Sequence, residues 1–365
     1  MLAVLSGGGT AGHINPALAL AEVLSDRGWD VRFAGTPNGV ESRLVPQAGV
    51  PFTGFEASGF NRNHPTTLFT GIAKILKSTH AAKRWFSEIK PDVVVGFGGY
   101  VSIPVARAAL SMGVPVVVHE QNSVMGMANK YLAKHASAVC ITYEHSARDL
   151  DDQTRVHVTG NPVRSSVLNA DRARGRAMLG IEEGERMLLV FGGSLGARSI
   201  NEAVASLKDE LLARPGLRIV HITGPKELDA VTERLALTEE ESSRWQLMGY
   251  QDRMGETLAA CDMIISRSGA TSLAEISALA VPALLVPFPF ATEDHQTTNA
   301  RAYVEAGCAS MIADDALATD EFKRAVFDLV DDEALRARMT EAARARKSAD
   351  AAANLADVVI GAALA

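Results

Sequence analysis

Short apolar runs alternate with amphipathic segments along most of the chain. The first series of apolar runs, which predicts strands, covers residues 2–5, 30–35, 92–98, 114–120 and 138–143. A second series covers residues 186–194, 217–224, 245–250, 263–269 and 283–290. Strands that alternate with helices predict βαβ units, and therefore parallel sheets with helices on both faces.

The two series are separated by a turn-forming tripeptide, Gly160-Asn161-Pro162. We therefore predict an α/β protein of two doubly wound domains, residues 1–161 and 162–345. A charged, Ala-rich helix is predicted over roughly 333–348. The packing of the tail, residues 346–365, stays open, and the first domain is one candidate surface for it.

Three segments share the order strand, glycine loop and helix. They read LAVLSGGGTAGHINPALALAEVL, DVVVGFGGYVSIPVARAAL and MLLVFGGSLGARSINEAVASL. Ligands of open α/β sheets bind at the carboxyl ends of the strands, where backbone N–H groups and a helix N-terminus can approach a phosphate. The three loops therefore predict sites for two phosphorylated ligands.

The first loop matches a dinucleotide-binding pattern, G-x-G-x-x-G, over Gly7–Gly12. That pattern also requires an acidic residue at the end of the second strand, about 20 positions later. Asp30 precedes the second strand instead. The sequence therefore disfavours a nicotinamide cofactor.

His13 follows this loop at the predicted start of a helix. A helix N-terminus disfavours imidazolium, so a histidine there tends to stay neutral and can accept a proton. General base and structural helix-end histidine are equally compatible with this position.

Composition narrows the class of protein further. The chain has 365 residues, 47% of them hydrophobic, and a net charge of −7, which argues against a general nucleic-acid binder. Its three cysteines are far apart in the sequence and predict neither a disulfide framework nor a zinc site. Asp149-Leu150-Asp151 matches the metal-binding string D-x-D, but its acidic surroundings favour a solvated turn, and we predict no metal site. The sequence predicts neither a signal peptide nor a membrane span.

Seven segments, taken in order, carry a resemblance to a known family. They are GGGTAGHINPALALA, FGGYVSIP, HEQNSVMGMANK, GNPVR, FGGSLGAR, SRSGATSLAE and DHQTTNA. Together they resemble the MurG family, the undecaprenyldiphospho-muramoylpentapeptide β-N-acetylglucosaminyltransferases of peptidoglycan synthesis. The resemblance implies the GT-B fold, in which two Rossmann-like domains face a central cleft. It also implies that N-acetylglucosamine passes from UDP-N-acetylglucosamine, with inversion, to the 4-hydroxyl of lipid I, which yields lipid II.

The same resemblance implies roles for single residues. His13 is the candidate base and Glu120 a weaker one, with a buried structural carboxylate as the alternative for Glu120. The implied donor-binding residues are Thr10, Ala11, Gly12, Asn129, Arg164, Ser194, Gln251, Ala270, Thr271, Ser272, Leu273, Ala274, Glu275 and Gln296. The implied residues around the acceptor pyrophosphate are Gly8, Gly9, Gly98, Gly99 and Tyr100.

Within this set, Glu275 is expected on the ribose, Gln296 on the donor sugar and Arg164 on a phosphate. The alternatives are a surface glutamate that complements a helix dipole for Glu275 and an interdomain ion pair for Arg164. The segment HEQN, residues 119–122, is expected to point into the cleft. His295 stands where many members have a glutamine, so its role stays open.

A predicted helix after His64 combines an apolar stripe with basic residues. The predicted membrane-surface residues are Leu68, Phe69, Ile72, Ile75, Leu76, Lys74 and Lys77, with Lys83 and Arg84 further along. Such a helix either packs on the core or lies on an anionic membrane. The resemblance implies a peripheral protein at the cytoplasmic face of the cell membrane, with roles in cell shape, the cell cycle and cell division.

The implied partners are UDP-N-acetylglucosamine, lipid I, the anionic inner-membrane surface and other cell-wall synthesis proteins, without nucleic acid. No cofactor is required by the fold, and a divalent cation such as Mg²⁺ is a candidate stimulator. Two rival functions are weighed. One is a non-catalytic subunit that binds a lipid head group or nucleotide sugar, although such proteins typically lack one of the two halves. The other is a UDP-sugar epimerase, which keeps the fold.

Overall fold

The chain forms two compact units. The computed structural model describes residues 1–57, 66–148, 150–346 and 350–365, without the side chains of residues 66–70, 72, 292 and 346. Unit 1 comprises Met1–Arg164 with Ser348–Ala365, and unit 2 comprises Ser165–Lys347. The change of unit after Arg164 lies a few residues beyond the predicted boundary, and the tail belongs to unit 1.

Unit 1 is built on a seven-stranded parallel sheet with the order β3-β2-β1-β4-β5-β6-β7. Its elements up to the boundary are β1 (Leu2–Ser6), α1 (Ala11–Asp26), β2 (Asp30–Gly35), α2 (Glu41–Gln47), β3 (Phe52–Gly54), α3 (Thr66–Ile89), β4 (Val93–Gly96), α4 (Ser102–Ser111), β5 (Val116–Glu120), α5 (Met127–Ala133), β6 (Ala138–Ile141) and β7 (Val156–Val158).

The central strands of unit 1 are buried on both faces. Ala3 and Leu5 belong to one hydrophobic cluster and Val4 to another, because successive strand residues point to opposite faces of a sheet. Full burial of one valine or leucine side chain contributes about 1.5–3 kcal/mol. Continuous apolar runs such as Val93–Val95 are therefore the sequence signature of these strands.

Unit 2 has a six-stranded parallel sheet with the order β10-β9-β8-β11-β12-β13. Its elements are α6 (Ser165–Leu168), α7 (Arg172–Leu179), β8 (Arg186–Phe191), α8 (Arg198–Ala205), α9 (Lys208–Leu212), β9 (Leu217–Ile222), α10 (Leu228–Leu235), α11 (Glu239–Arg244), β10 (Trp245–Met248), α12 (Met254–Ala260), β11 (Met263–Ser266), α13 (Ala270–Ala278), β12 (Ala283–Leu285), α14 (His295–Glu305), β13 (Ala309–Met311), α15 (Asp320–Asp331) and α16 (Glu333–Arg346).

The tail forms a last helix, α17 (Ala351–Leu364), which returns to unit 1. It packs on α1 and against β4, β5 and β6. Leu355, Ala356 and Val359 are fully buried in the same cluster as α1. The tail therefore completes the helical layer on one face of the first sheet.

The predicted strands exist, but several end earlier than predicted. β11 stops at Ser266 and β12 at Leu285, whereas the apolar runs continue to residues 269 and 290. Pro287 and Pro289 lack the N–H group that a central strand needs. Three further strands were not predicted: β3, β7 and β13 have three residues each, lie at the sheet edges and are only partly buried.

The predicted fold class is confirmed, since each unit is a doubly wound α/β domain. In both sheets the strand order reverses beside the first strand, between β1 and β4 in unit 1 and between β8 and β11 in unit 2. Ligands of such sheets bind at this switch point, beyond the carboxyl ends of the strands.

Candidate functional site

Two glycine loops meet at the switch point of unit 1. A Cβ atom on Gly99, where φ is +80°, would lie 2.6 Å from the Gly8 carbonyl oxygen. Only glycine accommodates both the left-handed backbone and this approach. The predicted pyrophosphate residues Gly8, Gly9, Gly98 and Gly99 are therefore neighbours, and Tyr100 follows them with an exposed side chain.

His13 in the first turn of α1 lies over the second loop. Its Nδ1 donates a hydrogen bond to the Gly8 carbonyl oxygen at 2.9 Å, so Nε2 is the basic nitrogen of the neutral ring. A Cβ atom on Gly98 would lie 3.1 Å from Nε2 and 3.6 Å from Asn129 Nδ2. The structure therefore brings the candidate base, the second glycine loop and Asn129 together.

Glu120 is 2% exposed, and both of its carboxylate oxygens accept hydrogen bonds. Oε1 accepts from Asn122 N and Nδ2, and Oε2 accepts from Gly126 N and Asn129 Nδ2. This carboxylate therefore holds the turn after β5 and fixes the Asn129 side chain. The geometry matches the structural alternative for Glu120, and its catalytic role stays a prediction.

The prediction that the whole segment 119–122 points into a ligand site is wrong for two of its side chains. His119 is fully buried and Gln121 is 1% exposed. His119 Nε2 donates to the Gly160 carbonyl at 3.0 Å, and Gln121 Nε2 donates to the Phe97 carbonyl at 3.0 Å. All three side chains are therefore buried, and Glu120, the last residue of β5, holds the turn that follows.

Burial lowers the pKa of His119 to about 4, although its bond to Gly160 raises it. In the unfolded chain this histidine takes up a proton below its ordinary pKa of 6.5, whereas in the folded protein it stays neutral down to about pH 4. Its contribution to the free energy of unfolding is therefore lost progressively as the pH falls from 6.5 to 4. We expect about 2 kcal/mol less unfolding free energy from this residue at pH 5 than at pH 7. Urea unfolding of wild type and His119→Gln at both pH values checks this, and equal pH dependence in the two proteins would contradict it.

Glu41 at the start of α2 is a site residue that the sequence analysis missed. It is fully buried, and its carboxylate accepts hydrogen bonds from Gly9 N–H, Thr36 N–H and the Thr36 hydroxyl. Gly9 N–H is thus occupied by this carboxylate, although the sequence predicts it at a phosphate. The available signal was an acidic residue that opens a helix directly after the loop of the second strand.

In unit 2 the glycine loop at residues 192–197 rests on the turn after β9. A Cβ atom on Gly196, where φ is +80°, would lie 2.0 Å from the Thr223 carbonyl oxygen. Asn201 on α8 donates to that same carbonyl at 2.9 Å, which ties the helix to the turn. Ser194 is exposed at the loop tip, where a ligand could reach its hydroxyl.

The second unit 2 element is α13, which follows β11 at the switch point. The helix begins at Ala270 after Gly269 and contains all six predicted contact residues from Ala270 to Glu275. Glu275 is 9% exposed, so it is not the surface glutamate of the alternative interpretation. A partly shielded carboxylate in the second turn of this helix suits recognition of hydroxyl groups.

Gln296 in the first turn of α14 has a fixed amide orientation. Its Oε1 accepts a hydrogen bond from Phe288 N at 3.0 Å, so its Nε2 is the side that can donate to a ligand. Ser268 Oγ donates to the Gln296 carbonyl at 2.8 Å and connects α14 with the loop before α13. His295 beside it is half-buried.

A buried ion pair that the sequence analysis missed supports these loops. Arg267, 8% exposed, pairs with Asp314 at 2.5 Å and donates to Ser199 Oγ at 2.8 Å and the Pro287 carbonyl at 3.0 Å. These contacts link the segments after β11, β12 and β13 with α8. An arginine inside SRSG gives no sign in the sequence of partners so distant along the chain.

Arg164 and Gln251, two other predicted donor-binding residues, each form a side-chain hydrogen bond within the protein. Arg164 Nε donates to Glu22 on α1 at 3.0 Å, so this ion pair lies within unit 1 and is not the interdomain pair of the alternative. Gln251 Oε1 accepts from Arg253 N at 3.0 Å. The donor roles of both residues stay predictions.

The predicted membrane helix is α3. Leu76 is 56% exposed, Lys74 and Lys77 are exposed, and Ile75 is partly buried. Further along the same helix, Ala82 and Phe86 are buried in the core of unit 1. The side chains of Leu68, Phe69 and Ile72 lie outside the described residues. The described stripe therefore divides into an exposed part at Leu76 and a core part.

Within the ranges that the structure describes, no group of three or more His, Cys, Asp or Glu side chains could hold a metal ion. Asp149 of the D-x-D string lies outside those ranges. None of the described helices has the length and apolar character needed to cross a membrane.

Comparison with known proteins matches both units. Residues 3–141 match the glycosyltransferase family 28 N-terminal domain, and residues 187–355 match the family's C-terminal domain. A relative in Halothermothrix orenii is 38% identical over 91% of each chain. It is named UDP-N-acetylglucosamine–N-acetylmuramyl-(pentapeptide) pyrophosphoryl-undecaprenol N-acetylglucosamine transferase. The crystal structure of Acinetobacter baumannii MurG is 28% identical over 99% of each chain, with a TM-score of 0.74.

Two doubly wound units with these matches define a glycosyltransferase of the GT-B fold. The chain belongs to glycosyltransferase family 28 and, within it, to the MurG family, as its motifs predict.

The fold alone does not determine which reaction an enzyme catalyses. A putative UDP-N-acetylglucosamine 2-epimerase from Listeria monocytogenes has a TM-score of 0.71 to this chain at 15% identity. That likeness shows the shared fold, whereas the relatives at higher identity decide the family. The enzyme class predicted from the sequence, a UDP-sugar-dependent glycosyltransferase, is confirmed, and the rival functions lose their support.

Proposed function

We propose that the protein transfers N-acetylglucosamine from UDP-N-acetylglucosamine to undecaprenyl-pyrophosphoryl-N-acetylmuramoyl pentapeptide, which converts lipid I to lipid II. The observation that carries this proposal is the transferase activity named for the Halothermothrix orenii relative, which matches the chain at 38% identity over 91% of its length. The glycine loops at both switch points support it, because donor and acceptor each contain a diphosphate.

The proposed chemistry is one displacement at the anomeric carbon of the donor sugar. The acceptor 4-hydroxyl forms the new glycosidic bond, the bond to UDP breaks, and UDP leaves with the electron pair. His13 Nε2 accepts the hydroxyl proton, since Nδ1 is engaged with Gly8. A single displacement inverts the configuration.

The main proposed contacts divide between the two units, and the donor role implied for Thr10, Ala11, Gly12 and Asn129 of unit 1 stays a prediction. In unit 1, the loops with Gly8, Gly98 and Gly99 receive the acceptor pyrophosphate, while the Gly9 N–H stays on the Glu41 carboxylate. In unit 2, the loop at 192–197 and α13 receive UDP, with Glu275 on the ribose. Gln296 Nε2 then donates to the donor sugar. No metal enters these steps, and stimulation by Mg²⁺ stays a prediction.

We also propose that α3 places the enzyme on the cytoplasmic face of the membrane, where the polyprenyl substrate lies. Leu76 is an exposed apolar side chain with Lys74 and Lys77 on either side, and this composition suits an anionic lipid surface. Contacts with other cell-wall synthesis proteins, and roles in cell shape and division, belong to the same proposal.

The decisive experiment follows labelled UDP-N-acetylglucosamine in the presence of a lipid-linked muramoyl pentapeptide. We expect label in the lipid product and release of UDP. Label that remains on UDP as an epimer would replace the proposal by epimerisation. Binding without turnover would replace it by the non-catalytic alternative.

Membrane binding gives a separate prediction. Leu76→Glu should weaken binding to phosphatidylglycerol vesicles about tenfold, because it removes an inserted apolar group and adds a repelled charge. Vesicle co-sedimentation measures this. Val158→Glu is the matched control, since Val158 is 55% exposed on the edge strand β7. Equal binding by both variants would contradict the proposed role of α3.

A further inference from the structure

The imidazole of His13 is connected to a buried carboxylate through one peptide unit. His13 Nδ1 donates to the Gly8 carbonyl at 2.9 Å, and Gly9 N–H donates to Glu41 Oε2 at 3.2 Å. The Gly8 carbonyl and the Gly9 N–H belong to the same planar amide. The two hydrogen bonds therefore join Glu41 and His13 in series.

We propose that Glu41 is a positioning residue for His13 and acts through the Gly8–Gly9 peptide. A carboxylate that accepts a hydrogen bond directly from a catalytic histidine holds the ring in the correct tautomer and stabilises the imidazolium that forms. Here the peptide stands between the two groups. This inference rests on the proposed function, in which His13 Nε2 takes the acceptor proton.

The surroundings of Glu41 fix its carboxylate in place. Oε1 accepts from Thr36 N at 2.9 Å and from Thr36 Oγ1 at 2.5 Å. Cβ atoms on Gly8, Gly35 and Gly39 would lie within 2.5 Å of its side-chain atoms. The loop after β1 and the loop after β2 thus leave room for the Glu41 carboxylate. Its hydrogen bonds matter there because the burial of an unpaired charge is costly.

The electrostatic effect follows from this order of groups. A carboxylate that accepts the Gly9 N–H polarises the peptide and increases the negative charge on the Gly8 oxygen. That oxygen becomes a better acceptor for Nδ1–H, which favours the tautomer with a basic Nε2. It also stabilises the ring after Nε2 has taken up a proton.

Three other polar side chains of unit 1 are Asn129, Tyr100 and His119. Asn129 is held by Glu120, and Tyr100 ends the second loop. His119 is neutral because burial lowers its pKa to about 4. Glu41 is therefore the carboxylate that reaches the imidazole along the peptide, while Glu120 acts on its neighbour Asn129.

The test is an NMR titration of the His13 ring nitrogens in the full chain, with His13→Ala to assign the signal. In Glu41→Gln we expect the titration midpoint of His13 to fall by about half a pH unit, since a negative charge has been removed. We also expect kcat for transfer to fall about tenfold, with KM for UDP-N-acetylglucosamine unchanged. Glu88→Gln on the exposed side of α3 is the matched control and should change none of these values.

A second measurement does not need the Glu41 variant. In the wild-type protein the Gly9 amide proton should titrate with the same midpoint as His13, and in His13→Ala this response should vanish. An unchanged midpoint in a folded Glu41→Gln, or a Gly9 amide that ignores the His13 titration, would overturn the proposal. These signals are read without substrate. If the His13 and Gly9 signals behave as expected but the wild-type protein does not transfer the sugar, only the proposed function is rejected. If the protein transfers the sugar but the His13 midpoint is the same in wild type and Glu41→Gln, only the role of Glu41 is rejected.

Discussion

Replacement of His13 with alanine is expected to lower kcat for sugar transfer by about 10³-fold, within the range for loss of a general base. The structure supports this because the ring has a defined tautomer, with Nδ1 on the Gly8 carbonyl and Nε2 over Gly98. Initial rates with labelled donor and saturating lipid acceptor measure the effect.

His13→Asn separates proton transfer from positioning. Its amide nitrogen can still donate to the Gly8 carbonyl, but it has no basic nitrogen in the place of Nε2. We expect His13→Asn to be as inactive as His13→Ala. The Kd of UDP, measured by calorimetry, should be unchanged in both variants, because the proposed UDP contacts of Glu275 and the 192–197 loop lie in unit 2. More than a tenth of wild-type kcat in His13→Asn would contradict the role of base.

The fold could be predicted from the sequence where apolar runs are continuous. β4 is buried along its length and β8 is buried after Arg186, so both faces of each strand require apolar residues. The edge strands β3 and β7 contain only three residues each and are only partly buried, so neither run length nor alternation distinguishes them from loops. Their pairing depends on neighbours that a local pattern does not report.

The site was predictable where function demands a special backbone. The loops at Gly98–Gly99 and Gly196 need glycine for their positive φ angles and close contacts, and this demand is visible in the sequence. Glu41 and Arg267 are different, because each acts through partners on separate elements, Gly9 for one and Asp314 for the other. Such roles become visible only when the sheet brings the loops together.

Glu275→Ala is expected to raise KM for UDP-N-acetylglucosamine and the Kd of UDP by about 10- to 100-fold, the usual cost of a lost charged hydrogen-bond partner. The side chain is 9% exposed in the second turn of α13, beside the switch point of unit 2. Desolvated carboxylates hold hydroxyl donors more strongly than exposed ones. Isothermal calorimetry with UDP and steady-state kinetics with the sugar donor measure the change.

The ribose assignment is tested more sharply by changing the ligand as well as the protein. A site built to accept a hydrogen bond from a hydroxyl discriminates strongly against the analogue that lacks it. Wild type should therefore bind 2′-deoxy-UDP or 3′-deoxy-UDP more weakly than UDP, and Glu275→Ala should hardly distinguish them. Glu275→Gln, which keeps the side-chain volume, serves as the folding control. If Glu275→Ala discriminates against the deoxy ligands as strongly as wild type, the carboxylate does not contact the ribose.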